Sequence, residues 1–207
     1  MAGGRSSRMG QDKALVQLAG RPLIAYALAV LRQAGLPASI AGARSALAQF
    51  APVVEDSAPD RGPLGGICAA LAATEARRAV FLPVDLPLLP ASLVAFLLDC
   101  ARMTGRAVTV PSVNGFAQCF PAVVDREALP ALSSELEAGR GGCFAAFQAA
   151  ARRLGDTVAI LPVEWVVQSG HVVHPQGLTG SRWFLNVNTP EDIGYAEALL
   201  GALHRVS

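Results

Sequence analysis

An α/β fold built around a mostly parallel sheet is what this 207-residue sequence predicts. Short apolar runs of strand length alternate with longer segments whose apolar residues recur at helical spacing. Glycine and proline punctuate the junctions between them. An acidic residue, Asp85, closes one of the apolar runs, at the strand end where open α/β sheets bind ligands.

The elements follow in order. Pro22 suits a first helical turn, and Leu23, Ile24, Ala27, Leu28 and Leu31 then share one face that ends at Gly35. Ala38 to Ala41 reads as a short buried strand. Gly65 to Ala73 suits a helix of small residues packed close to its neighbour. Ala79 to Val84 is a buried strand ending at Asp85. Pro90 begins a helix carrying Leu93, Phe96, Leu97 and Cys100, and Val108 to Val110 and Phe120 to Val124 read as later strands. Helices are expected over about 126–137 and 143–153. Gln168 to Ser181, polar and glycine-rich, reads as a linker. The last helix opens at Thr189-Pro190-Glu191-Asp192, with Thr189 as N-cap and Asp192 completing a capping-box-like pair. A single domain over 1–207 is expected, with room for a real core.

Composition narrows the partners. Hydrophobic residues make up 52% of the chain, and mean hydropathy is +0.40. The apolar stretch from Ala79 to Ala101 is interrupted by Pro83, Asp85, Pro87, Pro90 and Asp99, which argues against a membrane span. No apolar segment of secretory type follows Met1, so a cytoplasmic protein is expected. Net charge is +1, too little for the basic face of a nucleic-acid binder. The four cysteines, at 68, 100, 119 and 143, show no Cys-x-x-Cys spacing and read as small hydrophobes in a reducing compartment, with a reactive or metal-binding cysteine as the alternative. His171 and His174 have no third partner at metal-ligand spacing. Trp165 and Trp183 read as packing residues.

Anion recognition must then be local, and it concentrates at the N-terminus. Ala2-Gly3-Gly4-Arg5-Ser6-Ser7-Arg8-Met9-Gly10-Gln11-Asp12-Lys13 combines a backbone free to bend around a ligand with three cations. A solvated basic tail is the competing reading. Asp12 either orients Lys13 or is a solvated neighbour of it, and the second reading is favoured. Asp85 is the leading catalytic candidate: Mg²⁺ needs only one or two carboxylates when substrate phosphates complete its shell. A turn-starting aspartate is the alternative. In Asn186-Val187-Asn188 the two amides share one side if the chain is extended. Arg140-Gly141-Gly142 is a candidate anion loop for an acceptor.

The spacing Gly-Gly-x-Ser-x-Arg-Met-Gly-x-Asp-Lys resembles nucleotidyltransferases of the GT-A-like Rossmann type, and among them the molybdenum cofactor guanylyltransferase family. Glu55-Asp56-Ser57 before Gly62-Pro63-Leu64-Gly65-Gly66, then Pro83-Val84-Asp85-Leu86-Pro87, then Asn186-Val187-Asn188-Thr189-Pro190-Glu191-Asp192 follow in the family's order. The resemblance implies a three-layer α/β/α nucleotide-diphospho-sugar transferase fold. It also implies Mg²⁺-dependent transfer of GMP from GTP to the terminal phosphate of molybdopterin or its molybdenum-loaded form, with release of pyrophosphate. Lys13, Arg8 and Asp85 become the catalytic set, with Asp85 as the metal ligand. Met1, Ala2, Gly3, Gly4, Lys13, Asp56, Gly62 and Asp85 become the nucleotide and metal contacts, and Asn186 and Asn188 face the acceptor. A molybdoenzyme or its chaperone becomes a possible partner.

Two departures from the family pattern stand out. A hydrophobic strand usually runs into the glycine-rich loop, and here Met1 occupies its last position, so the first strand is expected to be truncated. Losing a central strand leaves backbone groups costing roughly 1–3 kcal/mol each if they stay buried. A chain beginning several residues upstream is the expectation, to be checked by intact mass. Ala41-Gly42-Ala43 stands where the guanylyl family often has Asn-x-Asn. A cytidylyltransferase, a guanylyltransferase for another phosphorylated acceptor, and a non-catalytic nucleotide-binding homologue or chaperone therefore remain alternatives.

Overall fold

The computed structural model describes residues 12–42, 45–55, 61–139 and 142–202. A tight hairpin comes first: β1 (Gln17–Leu18) and β2 (Arg21–Pro22) pair antiparallel across Ala19-Gly20, both at positive φ (48° and 74°). Helix α1 (Leu23–Gln33) follows, then β3 (Ile40–Ala41) and β4 (Val53–Val54), which pair in parallel. Next come α2 (Gly62–Ala73), β5 (Arg78–Phe81), α3 (Ala91–Thr104), β6 (Val108–Val113), β7 (Phe116–Ala117) and β8 (Ala122–Asp125). The chain closes with α4 (Leu129–Ala138), α5 (Cys143–Arg153), β9 (Ala159–Pro162), α6 (Val163–Gln168), α7 (Gly180–Trp183) and α8 (Pro190–Ala202).

The larger sheet has the order β5-β8-β6-β7, with β9 on the free side of β6. β8 runs antiparallel to both β5 and β6, so those two share a direction, and β9 runs parallel to β6. The expected parallel sense therefore holds for β5, β6 and β9, while β8 enters reversed and makes the sheet mixed. The reversal begins at Asn114-Gly115, whose φ values of 51° and 80° form the tight turn that returns the chain along β6.

Alternation along β8 shows the layers. Ala122 and Val124 pack with Ile67 and Leu71 of α2, Leu132 of α4 and Phe147 of α5. Val123 points the other way, into a cluster with Val94 and Leu97 of α3, Val166 of α6 and Trp183 of α7. Successive strand side chains face opposite sides, so a strand feeding two clusters is sandwiched between helices. That is the expected three-layer arrangement.

The segment expected to be a linker is instead packed. Val172, His174 and Leu178 are buried there, and Trp183 just beyond it. Its glycines and polar residues disguise an apolar residue every few positions. The His174 imidazole is held by two backbone groups: Nε2–H donates to the Leu88 carbonyl at 3.0 Å, and Nδ1 accepts from the Gln176 N–H at 3.1 Å. The ring stacks on Trp183, and the Trp183 indole N–H donates to the Leu178 carbonyl at 2.8 Å.

Among the described residues no strand precedes Lys13, and the β3–β4 pair is not hydrogen-bonded to the larger sheet. β3 and β5 instead border one cleft of about 420 Å³, lined by Ser39, Ala41, Arg78 and Phe81, with Leu36 and Leu98 among its apolar walls. No helix among the described residues is long and apolar enough to cross a membrane.

Candidate active site

Three segments far apart in sequence meet at one ammonium group. The Lys13 Nζ donates to Asp85 Oδ2 at 2.9 Å and also to Asn188 Oδ1. The side chains of Lys13 and Asp85 are 20% and 26% exposed, so the pair is half-buried at the mouth of a site rather than sealed in the core.

The immediate neighbours of these residues explain why they converge. Lys13 opens a short 3-10 turn whose N-cap is Asp12, with the Asp12 carboxylate accepting from the Ala14 N–H at 3.1 Å. The expectation that Asp12 is merely solvated is corrected: it fixes the turn that presents Lys13. Ala14, next to Lys13, and Val84, next to Asp85, are buried in one cluster with Ile24, Ile40 and Leu47. Val187, next to Asn188, is buried with Val16, Leu18, Leu23 and Ala196. Apolar burial thus draws the three backbone segments together, and the polar side chain beside each anchor faces outward.

Asp85 lies in a turn beyond the carboxyl end of β5; the strand expected to run through Val84 stops at Phe81, and Leu82 and Pro83 lead into that turn. Its carbonyl accepts from the Val187 N–H at 2.9 Å, tying the Asn186–Asn188 segment to the strand end. Asp192, in the first turn of α8, fastens that segment from the other side. One of its oxygens accepts from the Asn188 and Thr189 N–H groups at 2.8 and 2.9 Å. The Thr189 hydroxyl accepts from the Asp192 N–H at 3.2 Å, completing the expected capping box. The Asn188 N–H bond, more than any other influence, holds the Asp192 carboxyl below the usual carboxylate range, and the nearby Lys13 charge acts the same way.

The other anticipated residues are placed as follows. Asn186 is exposed, one residue before the buried Val187, and stands outside the Lys13–Asp85–Asn188 set. Gly62 begins α2 at φ +63°, in open space that a Cβ would not fill, with Pro63 in the first turn. Ala41 is buried at the end of β3. Met1, Ala2, Gly3, Gly4, Arg8, Asp56, Arg140 and Gly141 lie outside the described residues. His174 is part of the packing described above, and no group of three or more metal-ligating side chains occurs among the described residues. The role of Asp192 in holding Asn188 was hidden behind its capping role, although Asn-Thr-Pro-Glu-Asp was the signal for both.

Residues 1–158 match the model of the MobA-like NTP transferase domain. The chain belongs to that family. Among relatives of this NTP transferase, the molybdenum cofactor guanylyltransferase of Xanthomonas euvesicatoria pv. vesicatoria is 50% identical over 100 residues, 47% of this chain and 51% of that protein. The probable molybdenum cofactor guanylyltransferase of Haloferax mediterranei is 34% identical over 203 residues, 93% of this chain and 89% of that one. Among solved structures, molybdopterin-guanine dinucleotide biosynthesis protein A from Archaeoglobus fulgidus superimposes with a TM-score of 0.76 at 20% identity, covering 97% of this chain and 96% of that chain. At that identity the superposition shows the nucleotide-diphospho-sugar transferase-like fold and nothing finer.

Proposed function

We propose that this chain, acting as one domain, transfers GMP from GTP to the terminal phosphate of a molybdopterin-type acceptor and releases pyrophosphate. The observation that supports this reading best is the convergence of Lys13, Asp85 and Asn188 on one point at the carboxyl end of β5. Family membership supplies the reaction class, and the names of the relatives supply the nucleotide and the acceptor.

The donor set fits a hard divalent cation. Asp85 offers a carboxylate oxygen and Asn188 an amide oxygen, and both already face a single positive charge, the Lys13 ammonium. Oxygen donors with one carboxylate suit Mg²⁺ when phosphates complete the shell. Bound there, the ion would draw charge off the phosphates and align them.

The residues then divide the work. Asp85 holds the metal side of the triphosphate, with its backbone fixed through the Val187 N–H. Lys13 exchanges its carboxylate partner for phosphate oxygens and offsets negative charge on the departing pyrophosphate. Arg8, on the glycine-rich loop, adds a planar fork to the same phosphates. By the family resemblance Met1, Ala2, Gly3, Gly4, Asp56 and Gly62 contact the nucleotide, Asp56 near its base and ribose, and Asn186 and Asn188 face the acceptor or the metal. An oxygen of the acceptor phosphate forms the new bond to the α-phosphorus as the bond to the bridging oxygen of pyrophosphate breaks. The second pKa of a phosphate monoester is about 6, so the nucleophile is already a dianion at neutral pH and no general base is needed. The chain is read as cytoplasmic, where GTP is available.

The test is pyrophosphate release with molybdopterin, Mg²⁺ and each of the four nucleoside triphosphates in turn. Release with GTP well above the other three is expected. Faster release with CTP would replace the guanylyl reading with a cytidylyl one, and GTP binding by calorimetry without any release would make the chain a binding protein.

A further inference from the structure

We propose that Arg61 is the cation that receives the phosphate of the acceptor, an inference that rests on the nucleotidyl transfer proposed above. In that reaction the acceptor phosphate arrives as a dianion. Lys13 and Arg8 serve the triphosphate, and Asn186 and Asn188 carry no charge. The two sets of phosphates repel one another as they approach, and a cation on the acceptor side offsets that repulsion.

The paths of three helices place Arg61 at the right end of the sheet. Asp125, the last residue of β8, pairs with Arg78 at the start of β5, the end opposite Asp85. α4 begins a few residues later and runs for 10 residues, a rise of about 15 Å. α5 returns over 11 residues, and Asp156 just beyond it accepts from the N–H of Ala107, immediately before β6, at 3.2 Å. The end of α4 and the start of α5 therefore lie at the Asp85 end. α2 starts there too, because its C-terminus leads into Arg78. Arg61 precedes α2, and its Nη1 donates to the Leu136 carbonyl in the last turn of α4 at 3.1 Å.

A phosphate can displace that bond. Arg61 is exposed and its partner is a neutral carbonyl. The same carbonyl accepts from the Gly139 N–H at 3.2 Å, so it keeps a donor when the guanidinium leaves. Charge-assisted hydrogen bonds are roughly twice as strong as neutral ones, and the guanidinium fork matches two phosphate oxygens. Gly62, the next residue, has open space where a Cβ would stand, which leaves room beside the guanidinium. The arginines at the opposite end are already committed: Arg77 and Arg78 to Asp125, and Arg106 to Asp156.

The test is pyrophosphate release with molybdopterin and GTP varied separately, in the wild type, Arg61→Lys, Arg61→Gln and Arg61→Ala. Calorimetry of molybdopterin binding to each accompanies it. Glutamine can still donate to the Leu136 carbonyl but carries no charge, and lysine keeps the charge without the fork. Arg61→Gln and Arg61→Ala should raise the acceptor KM and the molybdopterin Kd about tenfold or more. The GTP KM should stay within about twofold of the wild type, which also reports that each variant is folded. Arg61→Lys should recover part of the loss. A wild-type acceptor KM in Arg61→Gln would reduce Arg61 to a clamp on α4 and overturn the proposal, as would a rise in the GTP KM in place of the acceptor KM. The calorimetric arm separates this proposal from the reaction it rests on. Molybdopterin bound no more weakly by Arg61→Ala than by the wild type overturns the role of Arg61, whereas absence of turnover with every nucleotide overturns the reaction.

Discussion

At the scale of single residues, position in the site is decided by the neighbour rather than by the functional side chain. Lys13, Asp85 and Asn188 are each adjacent to a buried apolar residue (Ala14, Val84 and Val187), and those anchors fix where the polar atoms end up. His174 shows the converse, a titratable group absorbed by packing. Its two hydrogen bonds require a neutral ring protonated on Nε2. Burial holds its pKa below the ordinary 6.5, against the opposing pull of the Leu88 carbonyl. The unfolded chain therefore binds a proton that the folded one refuses. Stability is complete above about pH 6.5 and declines as pH falls below it. Thermal melts across this range should show the decline in the wild type. His174→Gln should lower the melting temperature at neutral pH and remove most of that dependence, and an unchanged pH profile in the variant would refute this account of the histidine.

At the scale of elements, what was legible in the sequence follows from how local each signal is. Helices α1, α3 and α8 were readable because proline, glycine and a capping box mark their ends in contiguous residues. Asp85 was readable as a strand-end carboxylate for the same reason. The β1–β2 hairpin went unread because each arm has two residues, too few to show a period of two. Asn114-Gly115 did announce the turn after β6; reading it would have revealed the reversed β8 and the mixed sheet. The packing between α6 and α7 was invisible because only tertiary contact tells which of its scattered apolar residues are buried. The joint between Asn188 and α8 is where an element bears directly on the site. Asp192→Ala removes the carboxylate oxygen that accepts two N–H groups. It should cost roughly 0.5–2 kcal/mol by thermal or urea unfolding. Turnover should fall as well, because Asn188 loses its anchor; full activity with the stability loss intact would confine Asp192 to a capping role.

At the scale of the whole molecule, the sheet works as a frame that delivers loops to one end. β5 carries Asp85 there, the segment before α8 carries Asn188, and the turn before β1 carries Lys13. These are the sequence-distant stretches whose order along the chain carries the resemblance to guanylyltransferases, so order in sequence and convergence in space tell one story. Ala41 and Ala43 stand where the guanylyl family often has Asn-x-Asn, and neither belongs to the Lys13–Asp85–Asn188 set. The central claim is that the basic N-terminal turn and the strand-end carboxylate act on a shared triphosphate and metal. Its most direct test is pyrophosphate release by Asp85→Ala beside the wild type, with circular dichroism and thermal melting on both. The account predicts turnover reduced to background, at least about 100-fold, in a protein with the wild-type spectrum and a cooperative melt. Wild-type turnover by a properly folded Asp85→Ala would contradict it.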